Sequence, residues 1–476
     1  MIPLTDVCGG QRFVVLGLAK TGLATAQALR AAGATVTAWD DAPARRAAAV
    51  AAGVPVADPA GVDFQGLAGL LLSPGIPHTF PQPHPVAARA RAAGAPIIGD
   101  IELLLRADAG ATFVAITGTN GKSTTTALTG HILKSAGRPA EVGGNLGQPV
   151  LTFTPLGAVQ GTHVVEMSSY QLELTPSLRP RVGVLLNIAP DHLDRHGGME
   201  GYIAAKARMF ARQEAGDVAV IGVDDAVCAT LARTVAERRN GPRVIPVSVT
   251  GPVTGGVYAA EGRLWDALEP GVAARPVLTL AEAPALPGPH NAQNMAAAYA
   301  VCRALGLEPA TIIAAIRTFP GLDHRQQRVR ESRGVLYVND SKATNADATA
   351  RALACYDSLY WILGGRAKES GLDGLEPFLP RIRTAFLIGE ATERFAVWLA
   401  ARGVDYRRCG DLATAVAAAA AAAEAAAAEA VAAGDGTAGV CVLLSPACAS
   451  FDQFSGFEER GARFAALVRE WDGGAA

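Results

Sequence analysis

Phe113-Val-Ala-Ile-Thr-Gly118-Thr119-Asn120-Gly121-Lys122-Ser123-Thr124 passes from an apolar strand through a glycine turn into a helical stretch that opens on a lysine and two hydroxyls. The backbone N–H groups of such a turn, together with the positive end of the following helix, cradle phosphates. Lys122 can reach the outer phosphates, and the Ser123 or Thr124 hydroxyl can hold Mg²⁺. The loop is shorter than the eight-residue Walker pattern, which would put glycine where Ile116 stands. A plain strand-turn-helix, with glycines serving the turn alone, is the alternative. The Gly-Lys-Ser-Thr run in this setting favours polyphosphate binding, and therefore ATP.

Toward the N-terminus, Arg12-Phe-Val-Val-Leu-Gly17-Leu-Ala-Lys20-Thr21-Gly22 reads as a strand and glycine turn leading into an Ala-rich helix. A second strand, Ala34 to Trp39, ends at Asp40, which makes a Rossmann-like βαβ unit. Ala19 replaces the middle glycine of the dinucleotide fingerprint and hinders close backbone approach to a pyrophosphate, so a packing turn explains the segment as well as NAD does. The turn Leu72-Ser73-Pro74-Gly75-Ile76, after another apolar strand, is expected to form the facing lip of the same crevice.

On the C-terminal side of the phosphate loop, Glu166 ends the strand Thr162 to Glu166, where a second Mg²⁺ ligand would sit; a cap or a solvated charge is the alternative. The loop Asn187-Ile-Ala-Pro-Asp191-His192-Leu-Asp194-Arg195-His196 places two imidazoles and two carboxylates after the next strand, as a metal or substrate site or as a capped turn. Lys206, in a helical run, reads from spacing as a surface lysine, and capping accounts for Asn291 after Pro287-Gly288-Pro289. Between Val247 and Pro289, Gly and Pro interrupt short β-like pieces, which predicts an excursion from the main sheet. From Val335 the strand–helix alternation restarts. Three of its predicted strand ends carry polar clusters: Asn339-Asp340-Ser341-Lys342-Ala343-Thr344-Asn345, Gly364-Gly-Arg-Ala-Lys368, and Leu444 through Ser450 to Phe457. Such edges are where open α/β sheets bind ligands. Leu412 to Ala433 is predicted helix from its alanine content.

With 476 residues the chain is expected to form more than one domain, and the boundaries read as 1–102, 103–320 and 321–476. A net charge of −2 gives no footprint for nucleic acid. Seven cysteines without a CxxC pair suit reduced thiols rather than a zinc site or a disulfide framework. Apolar runs are strand-sized and the N-terminus lacks the pattern of a signal peptide, so a cytoplasmic, non-membrane protein, monomeric in solution, is expected.

The phosphate loop, VVEMSS, PDHLDRH, YIAAKARMF, GPHNAQN, DHR, NDSKATN, GGRAK and SPACASFDQF resemble the Mur ligase family, in that family's order and across the whole chain. The resemblance implies three α/β domains: a Rossmann-like N-terminal domain, a central P-loop ATPase-like domain with a mostly parallel sheet, and a Rossmann-like C-terminal domain. It also implies ATP-dependent amide formation, in which the carboxylate of UDP-N-acetylmuramoyl-L-alanine is phosphorylated and the D-glutamate amine attacks the acyl phosphate. Gly118 to Thr124, Asn291, Arg325 and Asp340 would contact ATP. Ser123, Glu166, His192 and Lys206, the last as a carbamate, would hold two Mg²⁺ ions. Lys122, Glu166, His192, Lys206 and Lys342 would be the catalytic set. Lys20, Thr21, Asp40, Ser73, Gly75 and Asn145 would hold the UDP substrate, and Lys342, Thr344, Lys368, Ser450 and Phe457 the D-glutamate. Rival readings are a sister ligase with another amino acid or acting on folate, an NAD-dependent oxidoreductase, and an ATP-regulated binding protein. The absence of DNPR and HGKT motifs favours D-glutamate over the first, and Ala19 counts against the second.

Overall fold

The computed structural model describes residues 1–367, 371–433 and 439–472. The chain forms two compact units, one of Met1–Ala283 with Pro289–Phe319 and one of Pro284–Gly288 with Pro320–Ala476.

The first unit holds two sheets. The smaller is parallel, in the order Thr35–Trp39, Arg12–Leu16, Gly69–Leu72, Ile97–Ile98. Its inner strands are buried on both faces, which is why they read as continuous apolar runs rather than alternating ones. Gly17 turns into the helix Lys20–Ala31 with φ +94°, and a side chain at Gly22 would strike the Gly17 carbonyl. Both glycines are therefore needed for the close strand–helix contact.

The larger sheet has nine strands. Thr112–Thr117 is an inner strand, third from one edge, between Thr162–Glu166 and Val182–Leu185, all parallel. The segment read as an excursion is instead the sheet's far edge. Val257–Ala260 pairs in parallel with Arg243–Ser248, and Arg263–Asp266 and Arg275–Thr279 follow as antiparallel strands. Pro276 is tolerated because it sits on the edge strand, and the register shift at Leu264/Trp265 bends the pairing there.

One apolar cluster runs from Ile2 and Leu4 through Leu151, Phe153 and Leu172 to Val235, so the two sheets share a core. The Ile2 N–H donates to the Leu151 carbonyl at 3.0 Å and the Gly99 N–H to the Leu174 carbonyl at 2.8 Å. Buried His163 meets Asp108 at 2.6 Å, and the Asp108 carboxylate also accepts the Leu156 and Gly157 N–H groups.

The second unit is built on a six-stranded sheet in the order Gln327–Ser332, Val335–Asn339, Val440–Leu444, Ser358–Gly364, Ile382–Ile388, Tyr406–Gly410. All pairs are parallel except the first. Separate apolar clusters cover its two faces. Leu412–Ala432 is long and apolar enough to cross a membrane by length and composition. In this fold it lays Leu412, Ala415, Val416, Ala419 and Ala423 into one of those clusters, as a helix that covers a sheet. Leu444 is in register with both Asn339 and Ile362, which brings the Asn339, Gly364 and Leu444 ends to one edge.

Candidate active site

The phosphate loop is braced from both sides. Gly121, at φ +84°, caps the helix Lys122–Ser135, and a side chain there would run into Asn294 and Leu186. The Thr119 and Asn120 N–H groups donate to the carbonyl and Oδ1 of Asn187, each at 2.9 Å, and Thr119 Oγ1 donates to the Ala189 carbonyl at 3.1 Å. Behind the helix, Thr125 Oγ1 donates to Asn294 Oδ1 at 3.1 Å, and Asn294 Nδ2 donates to Asn291 Oδ1 at 2.9 Å. Asn291 therefore lies buried in the first turn of Pro289–Ala304, tied to the loop's helix through Asn294. Ser123 is buried, while Thr124 and Lys122 are half-buried.

Lys206 corrects the surface reading. It is 1 % exposed, and its Nζ donates to the Gly118 carbonyl at 2.9 Å and to Thr117 Oγ1 at 3.3 Å. The Tyr202 ring lies 4.8 Å from the ammonium. Burial, and then the Lys122 charge, pull the Lys206 amine down to about 7. Helical spacing did not reveal this, because the face carrying Lys206 packs inward against the sheet.

Glu166 stands in register with Ile116, beside the loop's entry strand, and is 1 % exposed. Asn145 Nδ2 donates to its Oε1 at 2.8 Å, while the buried Oε2 has no hydrogen-bond partner among the described residues. A buried carboxylate oxygen left in this state fits a metal ion.

The two histidines of the PDHLDRH loop do not act together. His192 is exposed, adopts φ +51°, and lies 3.5 Å from its neighbour Asp191. His196 turns inward to Ser169 Oγ at 2.9 Å and Glu173 Oε1 at 3.3 Å. Burial, then the neighbouring His192, hold it down to about 4, so it is neutral. Among the described residues no three His, Cys, Asp or Glu side chains converge as a metal site, so an ion here would rely on the mixed set of hydroxyl, carboxylate and imidazole.

Arg195 of the same loop has a role that the sequence pattern does not reveal. Its Nη1 donates to the Gly75 carbonyl at 2.8 Å and its Nε to the Phe80 carbonyl at 3.2 Å, with the guanidinium over the Tyr170 ring. The Ser73–Gly75 lip is thereby fastened to the larger sheet. Ser73 Oγ donates to the Gly17 carbonyl at 3.1 Å, and half-buried Thr21 lines the same small crevice as Ser73. Exposed Lys20 reaches the Gly147 carbonyl at 2.9 Å, close in sequence to Asn145. Asp40 accepts the Leu18 N–H at 2.7 Å and the Ala42 N–H at 2.9 Å. Although burial opposes it, these bonds and Arg45 hold the Asp40 carboxyl below its ordinary range, so it shapes the glycine turn.

In the second unit, Asp340 is buried, accepting Ser445 Oγ at 2.9 Å and the Gln326 N–H at 3.1 Å. Burial pushes its carboxyl up to about 7. Arg325 sits between two left-handed residues, His324 at φ +62° and Gln326 at φ +46°. The Lys342 ammonium lies 3.7 Å from the Phe457 ring centroid, and the Thr344 N–H donates to the Lys342 carbonyl at 2.9 Å. Ser450 is buried at the start of the turn toward Phe454. Lys368 lies outside the described residues.

A glycine-bounded loop carrying Lys-Ser-Thr at the end of an inner strand of a mostly parallel sheet defines a phosphate-loop α/β protein. Residues 116–302 match the Mur ligase middle domain. The chain is 52 % identical to the UDP-N-acetylmuramoylalanine–D-glutamate ligase of Paramagnetospirillum magneticum, over 98 % of each chain. It is 50 % identical to the enzyme of the same name from Rhodospirillum rubrum, over 99 % of this chain and 96 % of that one. Among solved structures it resembles the UDP-N-acetylmuramate-alanine ligase MurC of Thermotoga maritima, with a TM-score of 0.56 at 16 % identity, over 96 % of this chain and 99 % of that one. The chain belongs to the Mur ligase family.

Proposed function

We propose that this protein joins D-glutamate to UDP-N-acetylmuramoyl-L-alanine in peptidoglycan precursor synthesis, with ATP as the phosphoryl donor. The observation that carries this reading is near-full-length identity of about half to ligases bearing that name, in a chain that keeps the phosphate-loop lysine, the buried Glu166 and the buried Lys206.

The γ-phosphoryl group passes to the muramoyl-alanine carboxylate and ADP departs. The D-glutamate amine then attacks the acyl carbon, forming the C–N bond as phosphate leaves and the amine gives up a proton. Positioning and charge neutralisation supply most of the rate in such a transfer. Lys122 and the loop N–H groups other than those of Thr119 and Asn120, which Asn187 holds, pair with the phosphates. Ser123, Glu166, His192 and a carbamate on Lys206 would hold two Mg²⁺ ions, which offset phosphate charge when bound. The depressed Lys206 amine suits carbamate formation, since its neutral form adds CO₂ and releases a proton.

Asn291, Arg325 and Asp340 contact ATP. Lys20, Thr21, Ser73, Gly75 and Asn145 hold the UDP substrate, with Asp40 shaping the turn beneath it. Lys342, Thr344, Lys368, Ser450 and Phe457 receive D-glutamate. Domains 1–102, 103–320 and 321–476 take these three tasks in the order UDP substrate, ATP and amino acid, in a monomer acting in the cytoplasm.

The test is ADP release with ATP, Mg²⁺ and UDP-N-acetylmuramoyl-L-alanine, with D-glutamate offered against L-glutamate, L-alanine and diaminopimelate. Release driven by D-glutamate alone, with the matching amide by mass, supports the proposal; release driven by another amino acid overturns the substrate assignment.

A further inference from the structure

Arg460 lies in the first turn of the helix Phe457–Glu470 and is 1 % exposed. Its Nε donates to Ser341 Oγ at 3.0 Å, and its Nη2 donates to the carbonyls of Ser341 at 2.9 Å and Cys448 at 3.0 Å. Its Nη1 is also buried and has no hydrogen-bond partner among the described residues. Every bonded partner among the described residues is neutral. A buried guanidinium ordinarily sits against a carboxylate, because an unpaired charge is costly to take out of water. Among the described residues the carboxylate that acts on Arg460 is Asp452, and one oxygen of it already accepts the Glu390 N–H at 3.1 Å. Burial lowers Arg460 only to about 10, so it stays a cation at neutral pH.

The two segments that Arg460 grips carry the sequence-predicted amino-acid contacts. Ser341 adjoins Lys342, and Cys448 is two residues before Ser450. Ser341 Oγ donates in turn to the Phe457 carbonyl at 2.8 Å, and the Phe457 ring holds the Lys342 ammonium. A side chain on Gly365 would meet both Cys448 and Arg460 Nη1, so the unpartnered nitrogen faces the turn at the end of Ser358–Gly364. That turn belongs to the ligand-binding edge of the sheet.

We infer that Arg460 is a positioning and charge-selecting residue for the amino-acid substrate. Its fork fixes the Ser341–Lys342 and Cys448–Ser450 segments, and its buried cation, which hydrogen-bonds only neutral groups among the described residues, makes that edge favour an amino acid with two carboxylates. The inference rests on the D-glutamate reading above. A buried charge acts across several ångströms of low-dielectric protein, so direct contact with substrate is not required.

The experiment measures KM for D-glutamate and for ATP with the full chain, and compares Arg460→Gln, Arg460→Lys and Cys448→Asp with wild type. Cys448→Asp sets a carboxylate beside the intact guanidinium and cancels its field, which keeps the test decisive if Arg460→Gln fails to fold. The expected result is a rise of about tenfold in KM for D-glutamate in Arg460→Gln and about fivefold in Cys448→Asp, with KM for ATP within about twofold of wild type. Arg460→Lys, which retains charge but loses the fork, should recover a large part of the loss. An unchanged KM for D-glutamate in Cys448→Asp, or equal rises for both substrates, would overturn the inference. If wild type itself shows no D-glutamate-dependent turnover, the substrate reading fails instead.

Discussion

Lys122 and Lys206 donate to the same oxygen, the Gly118 carbonyl, each at 2.9 Å. One lysine comes from the phosphate loop and the other from a helix more than eighty residues later, so the loop's first glycine is the point where two cations converge. That proximity adds to burial in holding the Lys206 amine near 7.

Between about pH 7 and the ordinary lysine range, the unfolded chain binds a proton at Lys206 that the folded chain does not. The stability linked to this group therefore rises with pH across that window and is lowest below it. In CO₂-depleted buffer, wild type should gain on Lys206→Met by roughly 1 kcal/mol per pH unit from pH 7 to 9, read by urea denaturation. A flat difference would show that the amine titrates normally. With ¹³C-bicarbonate supplied, wild type should give a carbamate carbon resonance that Lys206→Met lacks.

Glu166→Gln separates stability from activity. The amide keeps the oxygen that accepts from Asn145 and removes a buried charge whose Oε2 is unpartnered among the described residues. Stability should hold or rise by about 1 kcal/mol, while turnover falls by about a hundredfold and the Mg²⁺ needed for half-maximal activity rises. A thermal melt and a Mg²⁺ titration of ADP release check both halves.

Gly121→Ala tests the helix cap. At φ +84° an added methyl is strained and meets Asn294 and Leu186. The variant should lose about 1–2 kcal/mol of stability and at least about tenfold in kcat/KM for ATP. Retention of wild-type kcat/KM would mean that the loop tolerates a displaced Asn294.

Arg195→Ala frees the Gly75 and Phe80 carbonyls that its guanidinium binds. KM for the UDP substrate should rise about tenfold with KM for ATP within about twofold, because the bonds fasten only the lip of the first sheet. Steady-state kinetics with each substrate varied in turn decides it.

Much of this was legible in the chain. The phosphate loop declared itself because glycine, lysine and hydroxyl must follow one another in sequence to cradle phosphate, and the apolar strands around it are long enough to count. Spacing alone puts Lys206 on the surface, because one lysine in a helical run carries no sign of which face meets the sheet, and only the family resemblance draws it into the site. The stretch between Val247 and Pro289 was misread because edge strands admit Pro and Gly, the same residues that mark loops. The tasks of Asn187, Asn294, Arg195 and Arg460 depend on partners 67, 169, 120 and 119 residues away, a reach that local pattern cannot encode.

The apolar cluster that runs from Ile2 to Val235 makes the first hundred residues inseparable from the two hundred that follow. A fragment beginning near residue 103 would present Leu151, Phe153 and Leu172 to water as a sticky face. In a calorimeter the two sheets of that unit should melt as a single cooperative block, and a gene cut between them should yield inclusion bodies rather than an ATP-binding module.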